Sequence, residues 1–318
     1  MKWRRFAIAS GILALVVLAG WWWQGQIRQR EAWDLVHKAL RFQERWLVTG
    51  QVRWAFRDIQ GRWVERQGRI SLAGQTLQVH GQGAELVCRL AGCQLVTKGM
   101  TSLRIVPVSA QRLPHAPDRW SLLRRSYRAR LDEASEVAGR FVQWVQLAPR
   151  SPNAFARRLA IEPKTGMVLA QEVLDCDGTV LSRWEWVKVS GKHRSHFRLP
   201  TSRQENEGLR EGISQWRVDG FVPVQRVTAR CECCSCGMTM QIIHATDGMA
   251  DVAIYLPTGT PQEHGCPCCQ FPQGAPRATR LGAMTVVVIS VPRPIVVIGD
   301  APSETLLRLA QQIAQRHP

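Results

Sequence analysis

The stretch RRLAIEPKTGMVLAQEVLDCDGTVLSRWEW, residues 157–186, carries three apolar runs separated by two short polar turns. The runs Phe155–Ile161, Met167–Leu174 and Val180–Val187 are too short for helices and rich in branched and aromatic residues, so each reads as a strand. Pro163-Lys164-Thr165-Gly166 and Asp175-Cys176-Asp177-Gly178 connect them, each ending on a glycine where positive φ costs least. Turn chemistry accounts for Asp175 and Asp177, which need not be a catalytic carboxylate pair. The stretch therefore predicts an antiparallel meander.

Upstream, Ala32, Leu35, Ala39, Phe42 and Trp46 recur every three or four residues, which predicts an amphipathic helix from Glu31 to Leu47. That stripe reads as core, although the same face could line an acyl cavity. Beyond Gly50 the period drops to two, and Gly61, Gly68, Gly74 and Gly81 punctuate short strands. Cys88 and Cys93 flank a turn in LVCRLAGCQLV, and a cross-strand disulfide is expected between them. Within residues 110–150, Leu122, Leu123, Tyr127 and Leu131 suit a helix, with VAGRFVQWVQL turning into strand. TSRQENEGLREG is polar and places a linker at 201–212, between an N-terminal domain, 31–200, and a C-terminal domain, 213–318. In the latter, strands are expected at Gly220–Ala229, Met238–Ile243 and Val252–Tyr255 and in AMTVVVISV and RPIVVIGD. A closing helix follows, with Leu306, Leu309, Ala310 and Ile313 on one face, Asp300 as its cap and Pro302 in its first turn. Helices set apart from antiparallel sheets make both domains α+β.

The first thirty residues form a membrane anchor or signal segment. Lys2, Arg4 and Arg5 precede an uncharged run from Phe6 to Trp23, long enough to cross a bilayer core as one helix, and Trp21–Trp23 resemble an interfacial belt. A cleaved signal peptide is the alternative, with Val17-Leu18-Ala19 ahead of Gly20 as the small-residue site. Either way the bulk of the chain is extracytoplasmic, and the first reading makes it a single-pass protein of the cell membrane. The net charge of +17, from 42 Lys plus Arg against 25 Asp plus Glu, is spread along the chain. For an exported protein it favours anionic membrane surfaces and acidic partners over nucleic acid.

Ten cysteines then need a role. RCECCSCGMTM and HGCPCCQ bring two clumps about thirty residues apart. Cys233, Cys236, Cys266 and Cys269 have the spacing for closed tetrahedral Zn²⁺, with Cys231, Cys234, Cys268, His244 and His264 as spare ligands, and such a thiolate set also suits Cu(I). Exported thiols oxidise, and the clumps together with Cys176 make an even eight, so four disulfides are equally expected. A redox centre fits less well, because its CxxC should open a helix and the flanks here read as strand. No GxSxG, HExxH or P-loop occurs, GQGAEL lacks the third glycine of a dinucleotide fingerprint, and no enzyme activity is expected.

Residues 157–186 resemble a segment of the RseB/MucB family of envelope-stress sigma-factor regulators: an arginine-leucine strand, a KTG turn, an apolar strand, an LD-x-DG-x-VL turn and an aromatic strand. TDGMADVAIYL, 246–256, and the ending GAMTVVVISVPRPIVVIGDAPSETLLRLAQQI, 282–313, are similar to parts of the same family. The resemblance implies a LolA/LppX-like half-barrel wrapped on helices, then a smaller sheet with a closing helix. It also implies a non-enzymatic periplasmic protein that binds a membrane-spanning anti-sigma factor and responds to a lipid-type signal. The cysteine clumps and the uncleaved anchor depart from the family pattern. A lipid or lipoprotein carrier of the same fold, and an envelope metal-binding protein, are the alternatives.

Overall fold

Alternation of apolar and polar residues governs the chain from Trp46 onward, and strands dominate the structure. The computed structural model describes residues 23–43, 46–73, 76–81, 84–89, 92–97, 100–113, 116–194, 220–231, 239–257, 276–289 and 294–316. Helix α1, residues 23–43, comes first. The meander β1 (Trp46–Arg57), β2 (Trp63–Ala73), β3 (Thr76–Gly81), β4 (Ala84–Arg89), β5 (Gly92–Thr97) and β6 (Met100–Arg112) follows. After α2 (Arg119–Ser126) come β7 (Tyr127–Val137), β8 (Arg140–Pro149), β9 (Ala156–Ile161), β10 (Val168–Leu174) and β11 (Val180–Arg194). The last third holds β12 (Val222–Cys231), β13 (Thr239–Thr246), β14 (Asp251–Pro257), β15 (Arg277–Leu281), β16 (Met284–Ile289), β17 (Ile295–Gly299) and α3 (Ser303–Arg316).

All pairings are antiparallel and build two open sheets. The first runs β7-β8-β9-β10-β11-β1-β2-β3-β4-β5-β6. The second runs β6-β12-β13-β14-β17-β16-β15. Strand β6 belongs to both: Met100–Arg104 pair with β5, and Ile105–Arg112 pair with β12. The meander read from 157–186 is β9-β10-β11 at the centre of the first sheet, and β10 is buried at six of its seven positions.

Helix α1 lies on one face of that sheet. Ala32, Trp33, Val36 and Ala39 pack with Leu123, Tyr127, Val145, Leu147, Leu159, Ile161 and Val168, while Phe42 joins Val48, Val52, Leu169 and Trp186. In the second sheet Leu306, Leu309, Ala310 and Ile313 of α3 cover Ile243, Val252, Ile254, Val287 and Val297, as their spacing predicts.

Three local expectations are corrected. The first helix is already formed at residue 23, eight residues before Glu31; its opening turns are exposed, Trp23 and Ile27 included, and pack on no core. It also ends before Trp46, which opens β1 yet stacks on Phe42 at 5.7 Å, so an i,i+4 spacing is met across a helix end. The helix expected through Leu131 stops at Ser126; Tyr127 and Ala129 are buried and Arg128 and Arg130 exposed, the period of a strand. Finally, Asp300 does not cap α3, which begins at Ser303; its carboxylate is held by Arg157 and the Asp251 N–H. Strand β15 was not anticipated, because RATRL is exposed throughout.

Among the described residues no helix is long and apolar enough to cross a membrane. The run that begins at Phe6 lies outside them except for Trp23. The stretch 201–212 also lies outside them.

The β7–β8 turn has Ala138 at φ 52° and Gly139 at φ 71°, the arrangement for which Asn-Gly is preferred. Ala138→Asn should raise stability by about 0.5–1 kcal/mol, read as a higher urea midpoint with unchanged slope.

Candidate functional site

The two sheets meet through side chains that sequence periodicity leaves unassigned. Arg157 stands on the α1-facing side of β9 with Leu159 and Ile161 and is almost without solvent exposure. Its guanidinium donates to the Asp300 carboxylate of the second sheet, whose other oxygen accepts the Asp251 N–H at 3.0 Å. Beside it the buried Tyr127 hydroxyl donates to Asp247 at 2.7 Å, and Asp247 also accepts the N–H groups of Met249 and Ala250 at 2.8 and 2.7 Å. Burial, then the Asp247 carboxylate, hold Tyr127 protonated with a pKa well above that of an ordinary phenol. Burial alone would lower the Arg157 pKa; the Asp300 carboxylate overrides it and raises the pKa, so the guanidinium stays charged.

The loop 246–250 is the knob of this junction. Thr246 Oγ1 donates to the Ala250 carbonyl at 2.7 Å and accepts the Gly248 N–H at 3.0 Å. Gly248 sits at φ 102° against α2, where a Cβ would lie 2.3 Å from the Leu123 nitrogen, so neither the conformation nor the space admits a side chain. Arg119 Nε donates to the Gly248 carbonyl at 2.9 Å. At the outer end of the junction, Gly282 N–H donates to the Arg57 carbonyl at 2.7 Å, and Ala283 packs with Phe155, Val173 and Leu181. Arg280 pairs with Asp175 at 3.2 Å, and Arg308 donates to Asn153 at 2.7 Å. The contact between the two sheets thus combines buried polar pairs with an apolar patch at its outer end.

Away from α1, the first sheet carries a continuous ion-pair chain: Glu65, Arg53, Glu185, Arg183, Glu172, Arg158 and Asp132, from β2 to β7. Its inner carboxylates, Glu172 and Glu185, are buried, while the guanidiniums of Arg53 and Arg183 face solvent. Burial would raise the Glu185 pKa, but Arg53 and Arg183 hold it below the ordinary carboxylate value. Arg158 lies 4.9 Å over the Trp144 ring, which spans the cross-strand alanines Ala160 and Ala170. Two open grooves adjoin this framework. One of about 470 Å³ is lined by Gln51, Gln67, Gly68 and Arg69; the other, about 380 Å³, by Arg28, Leu131, Asp132, Glu133 and Gln143. Both are largely polar, and the stripe Ala32, Ala39 and Phe42 is packed core.

The cysteine expectations fall mostly elsewhere. Cys233, Cys234, Cys236, Cys266, Cys268, Cys269 and His264 lie outside the described residues. Cys231 ends β12, and Cys88 stands opposite Cys93 in the β4–β5 register. Cys176 is free and exposed in the β10–β11 turn. His244 is largely buried in β13 with Nε2 unpartnered. Among the described residues no group of three His, Cys, Asp or Glu is disposed to hold a metal. Sequence reasoning missed Tyr127, Arg157 and Asp247; the signal was there in Arg157, a charge inside an otherwise apolar strand face.

Two open antiparallel sheets, one wrapped on a helix and the other closed by one, are joined through buried polar contacts. Residues 52–205 match the MucB/RseB N-terminal domain, and that part of the chain belongs to the MucB/RseB family. The fold is similar to crystal structures of MucB, including MucB in complex with MucA(peri) and the Pseudomonas aeruginosa MucA/MucB complex. With the two complexes the identity is 17% and the TM-score 0.51, covering 88% of this chain and 97% of the other. The match spans both sheets. No curated protein sequence matches the chain.

Arg157→Ala should destabilise the protein by about 3–5 kcal/mol by stranding Asp300 in the junction, and the apolar pair Arg157→Met with Asp300→Leu should recover part of that loss in denaturant titrations. Burial lowers the His244 pKa below its ordinary 6.5. The folded state thus takes up a proton less readily than the unfolded chain, so stability is present above the ordinary imidazole range and lost as pH falls through the depressed value. His244→Gln should flatten that decline between pH 7 and pH 5 in thermal melts.

Proposed function

We propose that this chain is an extracytoplasmic regulator that binds the extracytoplasmic segment of a single-pass anti-sigma factor. It acts by binding and release rather than by catalysis. The observation that carries the reading is the similarity to MucB seen with MucA, which runs through both sheets and their junction rather than through one domain. The junction held by Tyr127–Asp247 and Arg157–Asp300 supports it, because it sets the two sheets in one register and so presents them as a single surface to a partner. The segment ahead of α1 holds the protein at the membrane in this proposal, and a lipid-type ligand competes with the protein partner.

The cysteines staple or ligate around this framework. The Cys88 and Cys93 register favours a cross-strand disulfide. The clumps at 231–236 and 266–269 act either as disulfide staples or as a Zn²⁺ or Cu(I) site of the C-terminal domain. Metal content and free thiols, measured together on protein purified without reductant, separate the two outcomes.

The partner is tested by titrating the full chain, in detergent, with the extracytoplasmic segment of an anti-sigma factor from the same organism. Saturable binding at micromolar or lower concentration is expected, weakened by Tyr127→Phe, which leaves Asp247 without its donor across the junction. No binding by the unaltered chain would overturn the reading, and a co-purified lipid with no protein partner would favour a lipid carrier instead.

A further inference from the structure

Half of the large apolar side chains exposed among the described residues gather at one place. Ile59 and Trp63, 66% and 45% exposed, belong to the β1–β2 tip, while Leu281 and Met284, 38% and 43% exposed, are the paired residues of the β15–β16 tip. The two tips, one from each sheet, are joined by the Gly282 N–H to Arg57 carbonyl bond, and Arg57 stands opposite Trp63 in the ladder with its guanidinium 5.8 Å from the Trp63 ring. The display is not the result of a loose loop. Asp58 Oδ1 accepts the N–H groups of Gln60 and Arg62 at 2.9 and 2.8 Å, and Asp58 Oδ2 accepts Arg62 Nε at 2.9 Å, fixing a turn that holds Ile59 outward where a polar residue is the default.

Arginines ring these tips, and their counter-ions sit behind them. The Arg62 side chain is 75% exposed and its Asp58 partner 13%; Arg280 leans outward over a more sheltered Asp175; Arg66 and Arg277 are exposed. Glu65 and Asp177 are the exposed carboxylates beside the tips, and with Arg57 the arginines outnumber them, so the charge offered to an approaching surface is net basic. Apolar side chains exposed at hairpin tips and accompanied by arginines suit a bilayer interface, where the apolar groups enter the headgroup boundary and the charges stay at its surface. Tryptophan at the headgroup level with arginines reaching to lipid phosphates is the matching chemistry.

We propose that the paired β1–β2 and β15–β16 tips dock on an anionic lipid surface, with Ile59, Trp63, Leu281 and Met284 in the interface and Arg62, Arg66, Arg277 and Arg280 on phosphates. The surface is independent of the anti-sigma reading and spans both sheets, so docking fixes the junction between them as well as the orientation of the molecule.

The test is hydrogen exchange of the full chain with phosphatidylcholine vesicles lacking or containing about a third phosphatidylglycerol. Exchange over 57–64 and 281–285 should slow by about threefold or more on the anionic vesicles alone, and Ile59→Ser with Trp63→Ser should abolish that slowing while exchange in α3 stays unchanged. Equal exchange at the tips on both vesicles would overturn the proposal. Protection that appears only on adding the anti-sigma segment without lipid would also overturn it and assign the tips to a protein partner.

Discussion

A guanidinium removed from water has to be met by a carboxylate, and Arg157 is met across the boundary between the sheets. That requirement organises the surrounding structure. Asp300 must sit between β17 and α3, so the helix starts three residues later; the Asp251 N–H must complete the carboxylate, so β14 begins beside it; and the 246–250 loop must bring Asp247 over Tyr127. An apolar junction of the same area would tolerate sliding. A charged one has a single register, because a shift of one residue would leave Arg157 buried without an ion partner.

The outer face of the first sheet solves a different problem. A broad open sheet with one face on a helix leaves the other in water, and here alternating charges tie six strands together transversely. Each carboxylate in the middle of the chain is shared by two arginines, which allows Glu172 and Glu185 to be buried while remaining ionic. Along this chain the guanidiniums of Arg53 and Arg183 are turned outward and the carboxylates of Glu172 and Glu185 inward.

How much of this was legible follows from what periodicity can see. Strands β9, β10 and β11 and helix α3 were readable because their apolar residues pack, and packed faces repeat. The first turns of α1 and all of β15 face solvent and carry no repeat, so neither could be read. The α2–β7 boundary misled for another reason: Leu123, Tyr127 and Leu131 are spaced four apart and all line one core, but the chain reaches it first as helix and then as strand. The junction was invisible because Arg157–Asp300 and Tyr127–Asp247 are separated by 143 and 120 residues, and no local pattern encodes such a pairing. Gly61, Gly166 and Gly178 marked hairpin turns, whereas Gly68, read as a turn, lies inside β2 opposite Val52; that Gly248 also serves as a point of contact with α2 is a property of the assembled fold.

Strand β6 is shared, and this has a consequence for how the molecule comes into being. A chain made from its N-terminus finishes the first six strands of the meander long before Val222 exists, yet half of β6 can be satisfied only by β12. Until then that half is an open edge, with backbone donors and acceptors unpaired and the hazard of pairing with another molecule. The second sheet in turn is complete only when β6 has joined β12. The two sheets are therefore one folding transaction, in which the later arrival closes the edge left by the earlier.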